Sequence, residues 1–263
     1  IGNADAVDAM QVAAAGGHHV FLLGPPGAGK TMLAARLPGL LPDLTPDAAL
    51  EVSSIRSLAG LPVGATLVTR PPLESPHHTA TAASLVGGGS GIIRPGAAAR
   101  ASGGVLFLDE APEFAGSVLD ALRQPLESGV ITIHRANSVA TFPGRFQLVL
   151  AANPCPCGNY GARDHACVCP PNSRRRYLAK LSGPLLDRID LQVNVPRLAP
   201  HEMRGDAPRA RVPESMDQAC QMQIHLHDRA EKQYIQNGPN IKEQEIQEQR
   251  RQNRQGHPPS SGC

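Results

Sequence analysis

Tryptophan is absent from this chain of 263 residues, and aromatic residues together make up only 3% of it. A core built on stacked rings is thereby excluded. The hydrophobic residues, 41% of the total, have to pack as Ala, Val, Leu and Ile instead. Net charge is nearly absent too: 25 Lys and Arg face 23 Asp and Glu, leaving +2. Such a balance neither requires nor excludes nucleic acid, and any contact with it has to come from local basic patches. No apolar run approaches the roughly 20 residues of a membrane-spanning helix, and no signal peptide precedes the first motif. These absences point to the cytosol. The length suits one large domain, or one domain and part of a second. Because the first motif follows Ile1 so closely, a fragment of a longer chain is expected.

What is present starts with Val20-Phe21-Leu22-Leu23, an apolar run that breaks into Gly24-Pro25-Pro26-Gly27-Ala28-Gly29-Lys30-Thr31 and then a helical pattern from Met32 to Leu37. Strand, G-x-x-x-x-G-K-T loop and helix in that order make a P-loop. Its glycines let the backbone curl so that N–H groups face phosphate, and the helix N-terminus adds partial positive charge. Lys30 is placed to reach the β- and γ-phosphates, and the Thr31 hydroxyl to ligate Mg²⁺. The competing reading is a Gly/Pro turn that happens to precede a lysine. A match at every motif position, with the right flanks, favours a nucleoside triphosphate site.

Val105-Leu106-Phe107-Leu108-Asp109-Glu110 is the second anchor. Four apolar residues suit a buried parallel strand, and its C-terminal end is where ligand sites of α/β sheets form. Alone, such a run more often ends in a solvated cap. Downstream of a P-loop it becomes a Walker B motif, with Asp109 holding Mg²⁺ through water and Glu110 activating the attacking water. A further buried strand, Phe146 to Ala152, ends in Asn153. Lying between the two Walker strands, Asn153 could bond the γ-phosphate and the lytic water; the plainer alternative is a turn cap before Pro154. Arg188 stands between Asp187 and Asp190. It is either locally paired with one of them or a cation acting in trans on a neighbouring subunit's phosphoryl transfer.

Cys155, Cys157, Cys167 and Cys169 form two C-x-C pairs. In the cytosol that favours a metal over a disulfide, and four thiolates suit a structural, tetrahedral zinc. Reduced, idle thiols are the alternative. Elsewhere, helices are expected over Ala4 to Ala15, Pro46 to Leu58, Ser117 to Leu126 and Arg174 to Leu181. His18 and His19 suit a solvated turn or the neighbourhood of the adenine rather than a metal. The Gly-, Pro-, Ser- and Thr-rich stretch from Leu61 to Gly104 suits an ordered insertion. Val130 to Arg135 and Val139 to Phe142 alternate as a hairpin, with Arg135 at its tip either solvated or touching a nucleic-acid backbone. The last strand is expected at Leu191 to Val195. Residues 201–263 form a polar, Gln-rich tail expected to be disordered or incomplete, and nothing is assigned to Cys220 or Cys263 within it.

Taken together, Gly24 to Thr31, Ser75 to Thr79 with Gly87 to Gly89, Gly104 to Phe114, Leu122 to Glu127, Leu150 to Gly158 and Leu181 to Asp190 resemble the magnesium-chelatase-like AAA+ ATPases. Within these the match is with the YifB/ComM group, over roughly residues 1–200. The resemblance implies an α/β fold: a P-loop NTPase with an αβα AAA+ core, a parallel sheet, a helix-2 insertion at about residues 61–100 and a pre-sensor-1 hairpin at Val130 to Phe142. It matches Asn153 to sensor 1 and Arg188 to the arginine finger. It also implies ATP and Mg²⁺ as cofactors, a hexameric ring, and a helicase that drives branch migration of DNA in natural transformation. The resemblance also implies a Lon-protease-like domain before the AAA+ module and a helical lid with a sensor-2 arginine after it, and no counterpart to either is expected within these residues.

The leading expectation is a ring-forming ATP hydrolase acting on single-stranded or branched DNA, without membrane attachment. A second keeps the ATPase and changes its client to metal insertion into a porphyrin or to protein remodelling. A third is a nucleotide-dependent scaffold without turnover, against which Glu110 and Arg188 both speak.

Overall fold

The computed structural model describes residues 2–89, 92–135, 138–161 and 166–198; the expectations for the tail at 201–263 lie outside them. In chain order, α1 (Ala4–Gly16) leads into β1 (Val20–Leu23), and α2 (Lys30–Arg36) leaves the P-loop. Next is α3 (Pro46–Leu58), fixed at its start by Thr45, whose hydroxyl accepts from the Ala48 N–H, and by Pro46 in the first turn. The insertion that follows is ordered in short pieces: β2 (Leu73–Glu74), α4 (Ala82–Val86), β3 (Gly87–Gly88), β4 (Arg94–Pro95) and α5 (Ala97–Arg100). Then come β5 (Val105–Leu108), α6 (Gly116–Asp120), α7 (Arg123–Ser128), the hairpin β6 (Val130–Arg135) and β7 (Ser138–Pro143), β8 (Gln147–Ala152), α8 (Pro171–Leu178), α9 (Gly183–Leu186) and β9 (Leu191–Asn194).

Five strands form one parallel sheet in the order β2-β5-β8-β1-β9. Period-2 alternation divides its side chains between two cores. Val105, Phe107, Val149, Ala151, Val20 and Leu22 pack on one face with Ala6, Met10, Ala13 and Ala34 of α1 and α2. Leu106, Leu108, Leu148, Leu150 and Phe21 pack on the other with α5, α6 and the base of the hairpin. All six residues of β8 are buried, as a central strand covered on both faces requires. The largest fully buried side chains are leucines and valines, and all five phenylalanines are also buried. The result is the αβα layering of a P-loop AAA+ core. Among the described residues no helix is long and apolar enough to cross a membrane.

The helix expected over Ser117 to Leu126 is instead two short ones, α6 and α7. Pro125 has no N–H to return to residue 121, and its ring crowds that carbonyl, so the chain re-enters the helix with Pro125 in the first turn. Helix α8 starts at Pro171 rather than Arg174, proline being pre-organised for the first helical position. The paired histidines stand before β1, at the end of the strand opposite the P-loop. There the Leu148 N–H donates to His19 Nδ1 at 3.0 Å, and the His19 N–H donates to Asp190 Oδ2 at 2.9 Å. Gln147 Nε2 donates to the carbonyls of Ala13 and His18 at 2.8 and 2.6 Å. His19 thus fastens β8 and β9 together, and burial lowers its pKa against the opposing pull of Asp190.

Candidate nucleotide-binding site

Since the sheet is parallel, β1, β5 and β8 all end on one edge, and the residues that follow them converge there. Gly24 leaves β1 with its N–H donating to Ala152 O at 3.1 Å. A Cβ on Gly24 would lie 2.1 Å from Val195 O, so only glycine fits between the ends of β1 and β9. Gly27 and Gly29 take φ of 75° and 92° and turn the loop into α2. Lys30 is 8% exposed. Its Nζ donates to Gly24 O at 2.6 Å, Pro25 O at 3.0 Å and Asn153 Oδ1 at 3.1 Å. Burial lowers its pKa, with Asp109 and Glu110 acting in the other direction.

Thr31 Oγ1 donates to Asp109 Oδ2 at 2.7 Å, while the Glu110 N–H donates to Asp109 Oδ1 at 2.9 Å. One carboxylate therefore ties the start of α2 to the residue after it. Glu110 itself adopts φ 51° and ψ 42°, a left-handed conformation that costs a non-glycine residue free energy and is found at functional sites. Glu110 Oε2 lies 3.3 Å from His78 Nδ1. Asn153 follows the middle strand of the three, as its place after the Phe146 to Ala152 run implied.

Some neighbours were not legible in advance. Tyr177 of α8 is 5% exposed and its hydroxyl bonds the backbone of Asn153; burial, then Glu113 and Glu110, push its pKa up to about 12. His78 stood in a quoted motif without a role. Arg188 is paired with neither Asp187 nor Asp190. It forms an ion pair with Glu127 of α7 and donates to Pro184 O at 2.5 Å.

Two further clusters flank the site. The hairpin β6–β7 lies beside the small hairpin β3–β4: a Cβ on Gly87 would come within 2.7 Å of Ile133 Cδ1, and one on Gly88 within 3.4 Å of Arg135 Nη2. Arg94, His134 and Arg135 are all exposed there. The Sγ atoms of Cys155, Cys157, Cys167 and Cys169 lie within 4.8 Å of one another, with Cys155 fully buried. The Asn159 backbone, then the Cys155 thiol, bring the Cys157 pKa down to about 6.

The chain is similar over most of its length to known proteins. The family described as "Magnesium chelatase, subunit ChlI" matches residues 1–203. An uncharacterised protein of Mycobacterium tuberculosis is 59% identical over 199 residues, which are 75% of this chain and 39% of that protein. Competence protein ComM of Haemophilus influenzae is 49% identical over 80% of this chain and 40% of its own length. The uncharacterised protein YifB of Escherichia coli is 48% identical over 74% and 38%. The chain thus spans about two fifths of the length of these relatives. With a parallel sheet ending in a P-loop, and a family match over most of its length, this chain belongs to the magnesium chelatase ChlI family of AAA+ ATPases and is of the YifB/ComM type.

Proposed function

We propose that this chain is the ATP-hydrolysing core of a ring-forming motor that acts on DNA. The observation that carries the hydrolytic part is the convergence of Lys30, Thr31, Asp109, Glu110 and Asn153 at one sheet edge. Gly24, Pro25, Pro26, Gly27, Ala28 and Gly29 supply the backbone that wraps the phosphates. Lys30, now folded onto two carbonyls and Asn153, turns to the β- and γ-phosphates. Mg²⁺, which the Thr31 hydroxyl and the Asp109 carboxylate would hold, neutralises phosphate charge when bound. Glu110 takes the proton of the attacking water, and Asn153 orients that water. Arg188 acts on the nucleotide of a neighbouring copy, which calls for a closed ring, a hexamer in this reading.

The DNA part rests on the paired hairpins that present Arg94, His134 and Arg135 together, and on similarity to a protein named for competence. Branch migration of single-stranded or branched DNA in the cytoplasm during natural transformation is the form of activity proposed. The four thiols suit a structural zinc: Zn–S bonds of about 2.3 Å in a tetrahedron place sulfurs about 3.8 Å apart, against 3.3, 3.6 and 3.7 Å among Cys155, Cys157 and Cys167, with Cys169 Sγ within 4.8 Å of the others. The charge of the thiolates and the absence of an open position make that zinc a staple rather than a catalyst.

The test is steady-state ATP hydrolysis with and without single-stranded and branched DNA, at two salt concentrations. Stimulation by DNA that fades with salt is expected, because phosphate neutralisation releases counterions. Hydrolysis indifferent to DNA would instead favour a tetrapyrrole or protein client. Nucleotide binding without turnover, in a chain with Glu110 and Arg188 intact, would favour a scaffold.

A further inference from the structure

The cysteine cluster adjoins the nucleotide site. Cys155 is two residues beyond Asn153, whose side chain accepts from Lys30 at 3.1 Å. From there the chain turns sharply, with the Gly158 N–H donating to Cys155 O at 2.9 Å. This turn lies on the P-loop: at Gly158, where φ is 78°, a Cβ would come within 2.5 Å of Pro26 Cδ and 2.7 Å of Cγ. Two contacts hold its other side. The Tyr160 N–H donates to Cys155 Sγ at 3.4 Å, and the Arg174 guanidinium of α8 stacks 4.0 Å over the Tyr160 ring. Cys155 and Cys157 belong to this turn, whereas Cys167 and Cys169 arrive from a later part of the chain.

We propose that one zinc ion bound by Cys155, Cys157, Cys167 and Cys169 controls nucleotide affinity, because it holds the 155–158 turn against Pro26 and thereby keeps Asn153 and the P-loop in register. The inference rests on the zinc assignment above and adds a regulatory role to it. Binding displaces any remaining thiol protons to solvent and forms four Zn–S bonds; nothing is oxidised or reduced. Without the metal, the two C-x-C arms meet, among the described residues, through contacts of their thiols with one another and with the facing backbone. Pro26 and Asn153 then lose the rigid wall between them. A metal staple placed away from the site would have no such effect, and the contact between Gly158 and Pro26 distinguishes this one.

The experiment measures zinc content and the affinity for a fluorescent ADP analogue on the full chain, prepared under reducing conditions. Three proteins are compared: the parent, the double variant Cys157→Ser/Cys169→Ser, and Gly158→Ala. The parent is expected to hold one zinc per chain. The double variant should lose zinc and bind the analogue about tenfold more weakly, the scale typical of removing support around a site. Gly158→Ala leaves every thiol in place, so it should keep zinc and still lose affinity. A parent that holds no zinc, even after reconstitution with Zn²⁺, overturns the zinc assignment. Zinc bound in the parent, with parental affinity in Gly158→Ala, overturns the coupling and leaves the assignment standing. A double variant that loses zinc yet binds the analogue with parental affinity overturns the coupling, and if that variant does not fold, the parent stripped of zinc by a chelator takes its place in the same comparison. A parent that holds zinc but binds no analogue counts against the P-loop reading instead.

Discussion

Glu110 allows the cost of a strained backbone to be separated from the cost of lost chemistry. Its φ of 51° and ψ of 42° fall where a residue with a side chain is disfavoured by about 1–2 kcal/mol. Glycine removes that cost but adds about 0.5–1 kcal/mol of chain entropy to be lost on folding. The contact with His78 is a partly exposed pair, with the Glu110 side chain 51% accessible, and contributes about 0–1 kcal/mol. These contributions nearly cancel, so Glu110→Gly should stay within about 1.5 kcal/mol of the parent. For a domain of this size that is a Tm shift of no more than about 6 °C. Turnover behaves differently. Losing a general base costs about 10²–10⁴-fold, or roughly 3–5 kcal/mol on the barrier. Glu110→Gln should show the same loss with unchanged stability and retained nucleotide binding. The assays are urea or thermal denaturation and steady-state phosphate release. Parental turnover in Glu110→Gln would refute the assigned role, and strong destabilisation of Glu110→Gly would show that the side chain is structural.

Other consequences are equally open to measurement. Arg188→Ala and Lys30→Ala should each be inactive alone and regain partial hydrolysis when mixed, since a mixed ring brings an intact Lys30 beside an intact Arg188; full activity of Arg188→Ala by itself would sink the action in trans. Replacing Arg94 and Arg135 by Ala should weaken DNA binding and lower the slope of log affinity against log salt by about 0.7–0.9 per lost phosphate contact, and an unchanged slope would clear the hairpins of that role. Tyr177 should ionise only near pH 12 in an alkaline absorbance titration of the folded chain. An unfolded tyrosine ionises near 10, so the folded state holds the extra proton in between. Stability should therefore fall by roughly 2–3 kcal/mol as pH rises across that window, and Tyr177→Phe should abolish this loss.

What could be read from the sequence was what is contiguous. Gly24 to Thr31 and Val105 to Glu110 carry their own secondary structure, because turn glycines and apolar runs act locally. The place of Asn153 followed from the strand order a P-loop imposes, and β8 does lie between β5 and β1. Contacts between distant segments were not legible. Nothing near Arg188 announces that its partner is Glu127 rather than an adjacent aspartate, because α7 and α9 meet only through tertiary packing. Tyr177 looked like an ordinary helix residue until α8 was set against Asn153. His19, expected on a solvated turn or beside the adenine, instead bonds Leu148 and Asp190, partners that lie too far along the chain to be read locally. The break at Pro125 and the start at Pro171 did have a local signal in proline itself.

The β6–β7 hairpin is buried at its root, where Ile131 and Phe142 are 3% and 8% exposed, and bare toward its tip, where Val139 is 61% exposed. Strands of six residues extend about 20 Å, so the hairpin is a lever with its fulcrum in the core. Tilting such an arm by about 5° at the base carries its far end about 1.7 Å sideways. Ångström-scale rearrangement of the packing beneath Ile131 and Phe142 would therefore reach Arg135 as travel of similar size, to the extent that the arm moves as one body.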